Sequence, residues 1–170
     1  RALELKMDSL ALTDHGSLYG AVEFYKKAKA KNLKPIIGSE MYVAPERLEQ
    51  KRPRLDDKNF HLLLLVKNKT GYQNLVALTT EAWLKGFYYK PRIDKELLRR
   101  KSSGLIAASA CLAGEIPQAI IQGDLKRAER LVLEYQAIFG EGNFFLEIQH
   151  HPHLAEQARV NAELIALAKK

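Results

Sequence analysis

Histidine, glutamate and cysteine occur in this sequence at the ends of short apolar segments or inside them. His15 directly follows one such segment, Glu40 interrupts a second, and Cys111 follows a third. Imidazole nitrogen, carboxylate oxygen and thiolate sulfur together suit zinc or a similar divalent ion. These residue types at these places indicate a metal site.

Most of these residues also have an ordinary structural interpretation. Asp14, His15 and Gly16 can form a turn, because Asp and Gly are common turn residues. His61 can be a core histidine, and Cys111 can act as a small buried hydrophobic residue. The residue types alone leave the metal site and these structural roles open.

Glu40 is harder to explain as a purely structural residue. It lies within the otherwise apolar segment 36–43. A carboxylate buried there without a partner would be strongly destabilising. We therefore expect Glu40 to pair with a cation or a metal ion.

Predicted strands and helices alternate along the chain, which favours an α/β barrel or a doubly wound sheet. In such folds functional residues gather at the C-terminal ends of the strands. Apolar runs predict strands at 9–13, 36–43, 60–66, 104–109 and 144–149. Apolar residues at helical spacing predict helices at 17–31, 72–84, 94–101, 115–121, 124–139 and 154–169.

The segment 45–58 is polar, mixed in charge and without helical periodicity. Parallel neighbours need a crossover of about a dozen residues or more, usually helical, whereas a loop can join antiparallel neighbours. We therefore expect the strands before and after this segment to pair antiparallel. That pairing would bring His61 close to the end of the strand that carries Glu40.

The composition describes a globular chain with a core. Of 170 residues, 46% are hydrophobic and 28% charged, which excludes a disordered tail, a collagen-like rod and a disulfide scaffold. The single cysteine cannot form an internal disulfide, so we expect a cytoplasmic location. No apolar run approaches the ~18 residues of a membrane span, so no membrane partner is expected. The net charge of +7 favours polyanionic partners or phosphate-bearing substrates.

Six longer motifs carry a resemblance to a known family. The sequence is similar to the PHP (polymerase and histidinol phosphatase) domain, in the form found in bacterial DNA polymerase III alpha subunits. The motifs are 12–25 (LTDHGSLYGAVEFY), 35–40 (PIIGSE), 70–75 (TGYQNL), 86–94 (GFYYKPRID), 109–116 (SACLAGEI) and 144–149 (FFLEIQ).

The resemblance implies part of a distorted (β/α)7 TIM-like barrel with up to three divalent metal ions at its C-terminal mouth. Zinc is the expected metal, with manganese or magnesium as alternatives. His15, Glu40, His61 and Cys111 match metal-ligand positions of the family. Glu40 would bridge two ions. Glu40 and Asp14 would both act in catalysis, Asp14 by orienting the imidazole of His15.

The function implied by the resemblance is metal-dependent phosphoester hydrolysis, of the 3′–5′ exonuclease type, beside a DNA polymerase activity. The implied partners are DNA, the other domains of the alpha subunit, a proofreading subunit and replisome components. Lys90 and Arg92 are candidates for holding nucleic acid. His150 and His151 are expected at the surface, and the basic run 99–101 is expected to be a solvated face.

Two other functions stay open at this point. The domain can be a non-catalytic scaffold that supports the polymerase and its proofreading subunit. It can also belong to a free-standing phosphoesterase of the histidinol phosphatase kind, although the motifs at 71–75 and 86–94 argue against this.

The resemblance also predicts that residues 1–170 are a single partial domain, truncated at both ends. The family's first motif, with two histidines, would precede residue 1, and its last motif would follow residue 170. A barrel without its first and last strands has open edges. We therefore expect partial folding or a rearranged, oligomeric packing for this chain alone.

Overall fold

The computed structural model describes all 170 residues as a mixed α/β fold. The strands are β1 (Ser9–Leu12), β2 (Lys34–Val43), β3 (Phe60–Val66), β4 (Arg92–Ile93), β5 (Leu105–Ala108) and β6 (Phe144–Phe145). The helices are α1 (Ala21–Ala30), α2 (Lys69–Leu84), α3 (Lys95–Lys101), α4 (Glu115–Ile121), α5 (Leu125–Phe139) and α6 (Ala155–Ala168).

The strands form one sheet in the order β1-β2-β3-β5-β6, with β4 paired to the end of β2. Strand β2 is parallel to β1 and β4 but antiparallel to β3, which is also antiparallel to β5. The predicted antiparallel pairing across the segment 45–58 is therefore confirmed. In this register Tyr42 lies opposite His61, and Glu40 lies opposite Leu63.

Side-chain alternation along β2 and β3 separates the core from the candidate site. Met41, Val43, Leu62 and Leu64 are at most 2% exposed and belong to a core cluster of 23 residues, to which helices α2–α6 also contribute. Successive side chains of a strand point to opposite faces of the sheet. Glu40 and Tyr42 of β2, and His61 and Leu63 of β3, alternate with these core residues and therefore lie on the other face.

Three helices begin at residues whose side chains accept a hydrogen bond from a backbone N–H of the first turn. Asn68 caps α2, Asp94 caps α3, and Asp124 caps α5, with donor–acceptor distances of 3.0, 2.8 and 2.9 Å. Such caps satisfy amides that have no partner within the helix. The caps set where the helices that cover the core begin.

Arg92 holds the segment 45–58 and does not face a substrate. Its side chain is fully buried, and its guanidinium donates to the carbonyl oxygens of Gly86, Leu48, Gln50 and Asp56 at 2.8–3.2 Å. The structure therefore gives Arg92 a structural role and offers no support for the predicted contact with substrate. A non-helical segment carries many unpaired carbonyls, and Arg92 supplies donors to several of them at once.

Two further features differ from the sequence-based expectations. The last strand is shorter than predicted, because pairing with β5 ends at Phe145, and the short strand β4 was not predicted. Strands β1 and β6 form the two ends of the sheet path and expose Leu10 and Phe145. None of the helices combines the length and apolar character needed to cross a lipid bilayer.

Candidate metal centre

The paired strands β2 and β3 bring Glu40 and His61 together. The two residues lie on the same face of the sheet, in pairs of the antiparallel register that are two positions apart. His61 Nδ1 is 2.7 Å from Glu40 Oε1. The expectation that the hairpin-like pairing places His61 next to Glu40 is therefore met.

His15 reaches the same carboxylate from the end of β1. Beyond β1 the chain continues alongside β2, where His15 forms a parallel bridge with Glu40. The next residue, Gly16, donates its N–H to Glu40 O and accepts a hydrogen bond from Trp83 Nε1, both at 2.9 Å. His15 Nε2 consequently lies 3.4 Å from Glu40 Oε2, with its side chain 52% exposed.

Cys111 approaches from the turn that follows β5. Its Sγ is 3.7 Å from Glu40 Oε1 and 3.5 Å from His61 Nδ1. The preceding residue, Ala110, has a φ of 60°, in the left-handed region that costs a non-glycine residue about 1–2 kcal/mol. This costly turn redirects the chain so that the thiol meets the carboxylate and the imidazole.

Hydrogen bonds and charge couple the titration of these groups. The hydrogen bond from His61 is the largest influence that lowers the pKa of Glu40 below its usual value. The hydrogen bonds with Cys111 and then with Glu40 raise the pKa of His61 to about 9. The cluster therefore stabilises an ionised Glu40 carboxylate, and a divalent ion that bound His61 would have to displace its proton.

The donor set fits a divalent metal. One ligand atom each from His15, Glu40 and His61 can be chosen so that all three lie within 4.8 Å of one another, and the thiol lies against two of these residues. Nitrogen, oxygen and sulfur donors in one cluster suit zinc. The two carboxylate oxygens of Glu40 face different imidazoles. This arrangement would let Glu40 bind one ion on each side.

Tyr42 and Lys90 border this cluster. The Tyr42 ring centroid lies 5.2 Å from that of His61 and 6.0 Å from that of His15. Lys90 Nζ lies 5.5 Å from the Tyr42 centroid. The structure thus places Lys90, unlike Arg92, beside the site. Sequence reasoning missed Tyr42, although it lies two residues after Glu40 and so shares its face of the strand.

Asp14 does not contact His15 through a hydrogen bond. Its Oδ2 accepts the N–H of Gly20 at 2.9 Å, and its backbone carbonyl accepts the Ser39 hydroxyl and the Glu40 N–H. The carboxylate is drawn to the start of α1 because the N–H of Gly20 needs an acceptor there. Nothing in this geometry supports the expected catalytic and orienting role of Asp14.

The remaining polar candidates lie away from the cluster. His150 and His151 are exposed, and His151 Nε2 lies 3.2 Å from Gln149 Oε1. Arg99 pairs with Glu134 at 2.6 Å on the exposed side of α3. These placements agree with the surface positions expected for them.

Curated relatives match almost the whole chain. A DNA polymerase III subunit alpha from Thermus aquaticus is 57% identical over 164 residues, which are 95% of this chain and 13% of the relative. Its counterpart from Treponema pallidum is 45% identical over 168 residues, 98% of this chain and 14% of the relative. The chain thus spans about a seventh or less of the length of these relatives.

A solved structure shares the fold at low sequence identity. A protein from Bifidobacterium adolescentis, provisionally described as a metal-dependent phosphoesterase, aligns with a TM-score of 0.55 and 12% identity. The alignment covers 98% of this chain and 76% of that one. At this identity the likeness concerns the fold alone.

The PHP domain family model matches residues 1–151. This match includes the strands and turns that bring His15, Glu40, His61 and Cys111 together. Because it covers most of the chain, and because the close relatives agree with the motifs found in the sequence, the chain belongs to the PHP domain family.

Proposed function

We propose that this chain holds divalent metal ions and hydrolyses phosphodiesters, as part of a replicative DNA polymerase. The observation that carries the proposal is the convergence of His15, Glu40, His61 and Cys111 from four different strands or the turns that follow them. A purely structural carboxylate would need one cationic partner, whereas Glu40 has two imidazoles and a thiol around it. Zinc suits this donor set best, with manganese or magnesium as alternatives and up to three ions in all.

Glu40 and Lys90 have different roles in the proposed reaction. A bound divalent metal supplies Lewis-acid chemistry and a nucleophile at neutral pH. Glu40 directs one carboxylate oxygen towards His61 and the other towards His15, so it can bridge two ions and set their separation. Lys90, beside Tyr42, contributes a cation at the rim for a phosphate oxygen.

The wider assignment is supported by the resemblance in the sequence and by relatives that are DNA polymerase III alpha subunits. We propose that DNA is the substrate, that its 3′ end is shortened in the 3′–5′ direction, and that the location is cytoplasmic. The proposed partners are the other domains of a polymerase III alpha subunit, a proofreading subunit and replisome components. We further propose that residues 1–170 are a single partial PHP domain, part of a distorted (β/α)7 barrel with the metal centre at its mouth.

Metal analysis of the complete polypeptide tests the proposal. Purified wild-type protein and Glu40→Gln are compared by mass spectrometry for bound metal and by hydrolysis of a 3′-labelled single strand without nucleotides. Loss of outer contacts to a metal ligand already costs about 10–100-fold, so we expect the ligand variant to lose more than about 100-fold in both readouts. Polymerase activity should persist in it.

Glu81→Gln is the matched control, because Glu81 pairs with Lys85 on α2 at 2.8 Å, away from the cluster. It should keep metal and hydrolysis. Full metal content and hydrolysis in Glu40→Gln would refute the site. Metal without hydrolysis in the wild type would instead support the non-catalytic scaffold.

A further inference from the structure

Aromatic residues are concentrated in one segment next to the metal centre. Trp83, Phe87, Tyr88 and Tyr89 lie within seven positions, in a chain with one Trp, six Phe and seven Tyr. Trp83 and Phe87 are each 44% exposed, and Tyr89 is 70% exposed. We call residues 83–90 the aromatic segment.

Both ends of the aromatic segment touch residues that border the metal centre. At one end, Trp83 Nε1 donates to the carbonyl of Gly16, the residue after His15. At the other end, Lys90 Nζ lies over Tyr42, whose ring is 5.2 Å from that of His61. The segment therefore forms one side of the approach to the cluster.

Tyr89 occupies a backbone conformation that is unfavourable for a tyrosine. The residue has a φ of 57° at a tight turn in which the Tyr88 N–H donates to the Lys90 carbonyl. Bulky residues are rare in this left-handed region, which glycine and asparagine tolerate much better. The exposed ring lies against Tyr88 at 4.6 Å but adds nothing to the core.

The rings of the segment differ in how much of their surface is available. The Tyr88 ring is packed under the Arg92 guanidinium at 5.2 Å. Phe87 stacks on Trp83 with centroids 5.5 Å apart and still exposes part of its surface. Phe87 and Tyr89 therefore offer the free faces.

The aromatic segment also carries an unpaired positive charge. Lys90 makes no ion pair, whereas Lys85 is paired with Glu81 at 2.8 Å. Exposed aromatic faces beside an unpaired cation are typical of surfaces that bind single-stranded nucleic acid, since bases stack on the rings and phosphates meet the cation. Leu84 is the one exposed aliphatic side chain of the segment, so a protein partner is the less favoured occupant.

We propose that the aromatic segment binds single-stranded nucleic acid and leads its terminal phosphodiester to the metal centre. Tyr89 and Phe87 stack on bases, and Lys90 contacts a phosphate. This inference rests on the proposed function, since it names the substrate form that the same site accepts and the residues that recognise it.

Photo-crosslinking tests the contact without requiring activity. A short oligothymidine with 5-iodouracil near its 3′ end is irradiated with the complete polypeptide, and the crosslinked peptides are mapped by mass spectrometry. We expect crosslinks at Tyr89 or Phe87 that an unlabelled single strand competes away. Their absence, with crosslinks elsewhere on the domain, would overturn the inference.

Kinetics on the same polypeptide supply the second readout. Tyr89→Ala should raise the KM for a single-stranded oligonucleotide by roughly 5- to 150-fold, the usual loss for one stacked base. The loss should be smaller for bis(p-nitrophenyl) phosphate, and Tyr89→Phe should restore the oligonucleotide KM. An equal loss for both substrates, or no rescue by Phe, would show a structural role instead.

Tyr25→Ala is the matched control, because Tyr25 on α1 is also exposed and has Lys29 Nζ 6.0 Å from its ring. It should leave the oligonucleotide KM unchanged. Crosslinks at the segment without any hydrolysis would leave the binding inference standing while the proposed activity fails. Tyr89→Ala could instead bind and cleave the oligonucleotide normally but loosen the packing of this domain against the rest of the polypeptide. That result would identify a protein interface and overturn the inference.

Discussion

Lys90 and Arg92 are two residues apart, yet their cationic groups have different surroundings. Lys90 is exposed beside Tyr42, whereas Arg92 is fully buried and donates to four backbone carbonyls. At the scale of the residue, one cation therefore holds a loop, while the other is available to the proposed binding surface. Sequence alone made them equivalent candidates.

Arg92→Met should loosen the segment 45–58 in the complete polypeptide. The substitution leaves several buried carbonyls without donors, and removing one partner of a buried charged network costs about 3–5 kcal/mol. We expect amide hydrogen exchange in the segment to accelerate by at least about 100-fold. Lys90→Met is the control and should leave this exchange unchanged; equal rates in the two variants would contradict the structural role of Arg92.

The pairing of β2 with β3 is the element that assembles the site. One loop without helical periodicity was sufficient to predict an antiparallel pair, and that pair sets His61 beside Glu40.

The start of α2 is constrained by a close backbone contact, because Gly71 packs directly on the backbone of Gly104. At the scale of the element, close backbone contacts decide which substitutions are tolerated.

Gly71→Ala should destabilise the start of α2, although the same change in an open helix position stabilises it. A Cβ at residue 71 would overlap the carbonyl group of Gly104, and such overpacking costs about 1–3 kcal/mol. Limited proteolysis of the complete polypeptide should therefore cleave near α2 roughly 5- to 150-fold faster. Thr70→Ala, an exposed change in the same turn, should not accelerate cleavage. If Gly71→Ala does not accelerate it either, the contact between Gly71 and Gly104 does not restrict the residue at position 71.

The whole molecule combines a well-packed core with open sheet edges. The 23-residue cluster lies on one face of the strands, while β1 and β6 end the sheet path with exposed apolar side chains. Unpaired edges with apolar side chains favour association with another chain. At this scale the stability of the fold depends on what covers its open sheet edges.

Residues 1–170 expressed alone should either unfold without a cooperative transition or associate. The physical reason is the pair of open edges at β1 and β6, with which no further strand of this chain pairs. Circular dichroism melts at several protein concentrations, with the mass measured by light scattering, check this. A sharp melt of a monomer that does not shift with concentration would contradict it.

Local patterns in the sequence were enough to predict the candidate ligands and most of the elements, because apolar periodicity and a charge inside an apolar run are local signals. Glu40 in its apolar strand and the non-helical loop before His61 were enough to predict that the two residues meet. The family followed from motifs that span nearly the whole chain.

How the polar side chains are used depends on the folded structure. That structure directs Asp14 to the start of α1, buries Arg92 under the segment 45–58, and places Tyr42 and the aromatic segment beside the candidate metal centre. The reason is that a side chain takes its partners from residues distant in the chain, such as Trp83 for the turn after His15. Those neighbours exist only once the sheet and helices have packed.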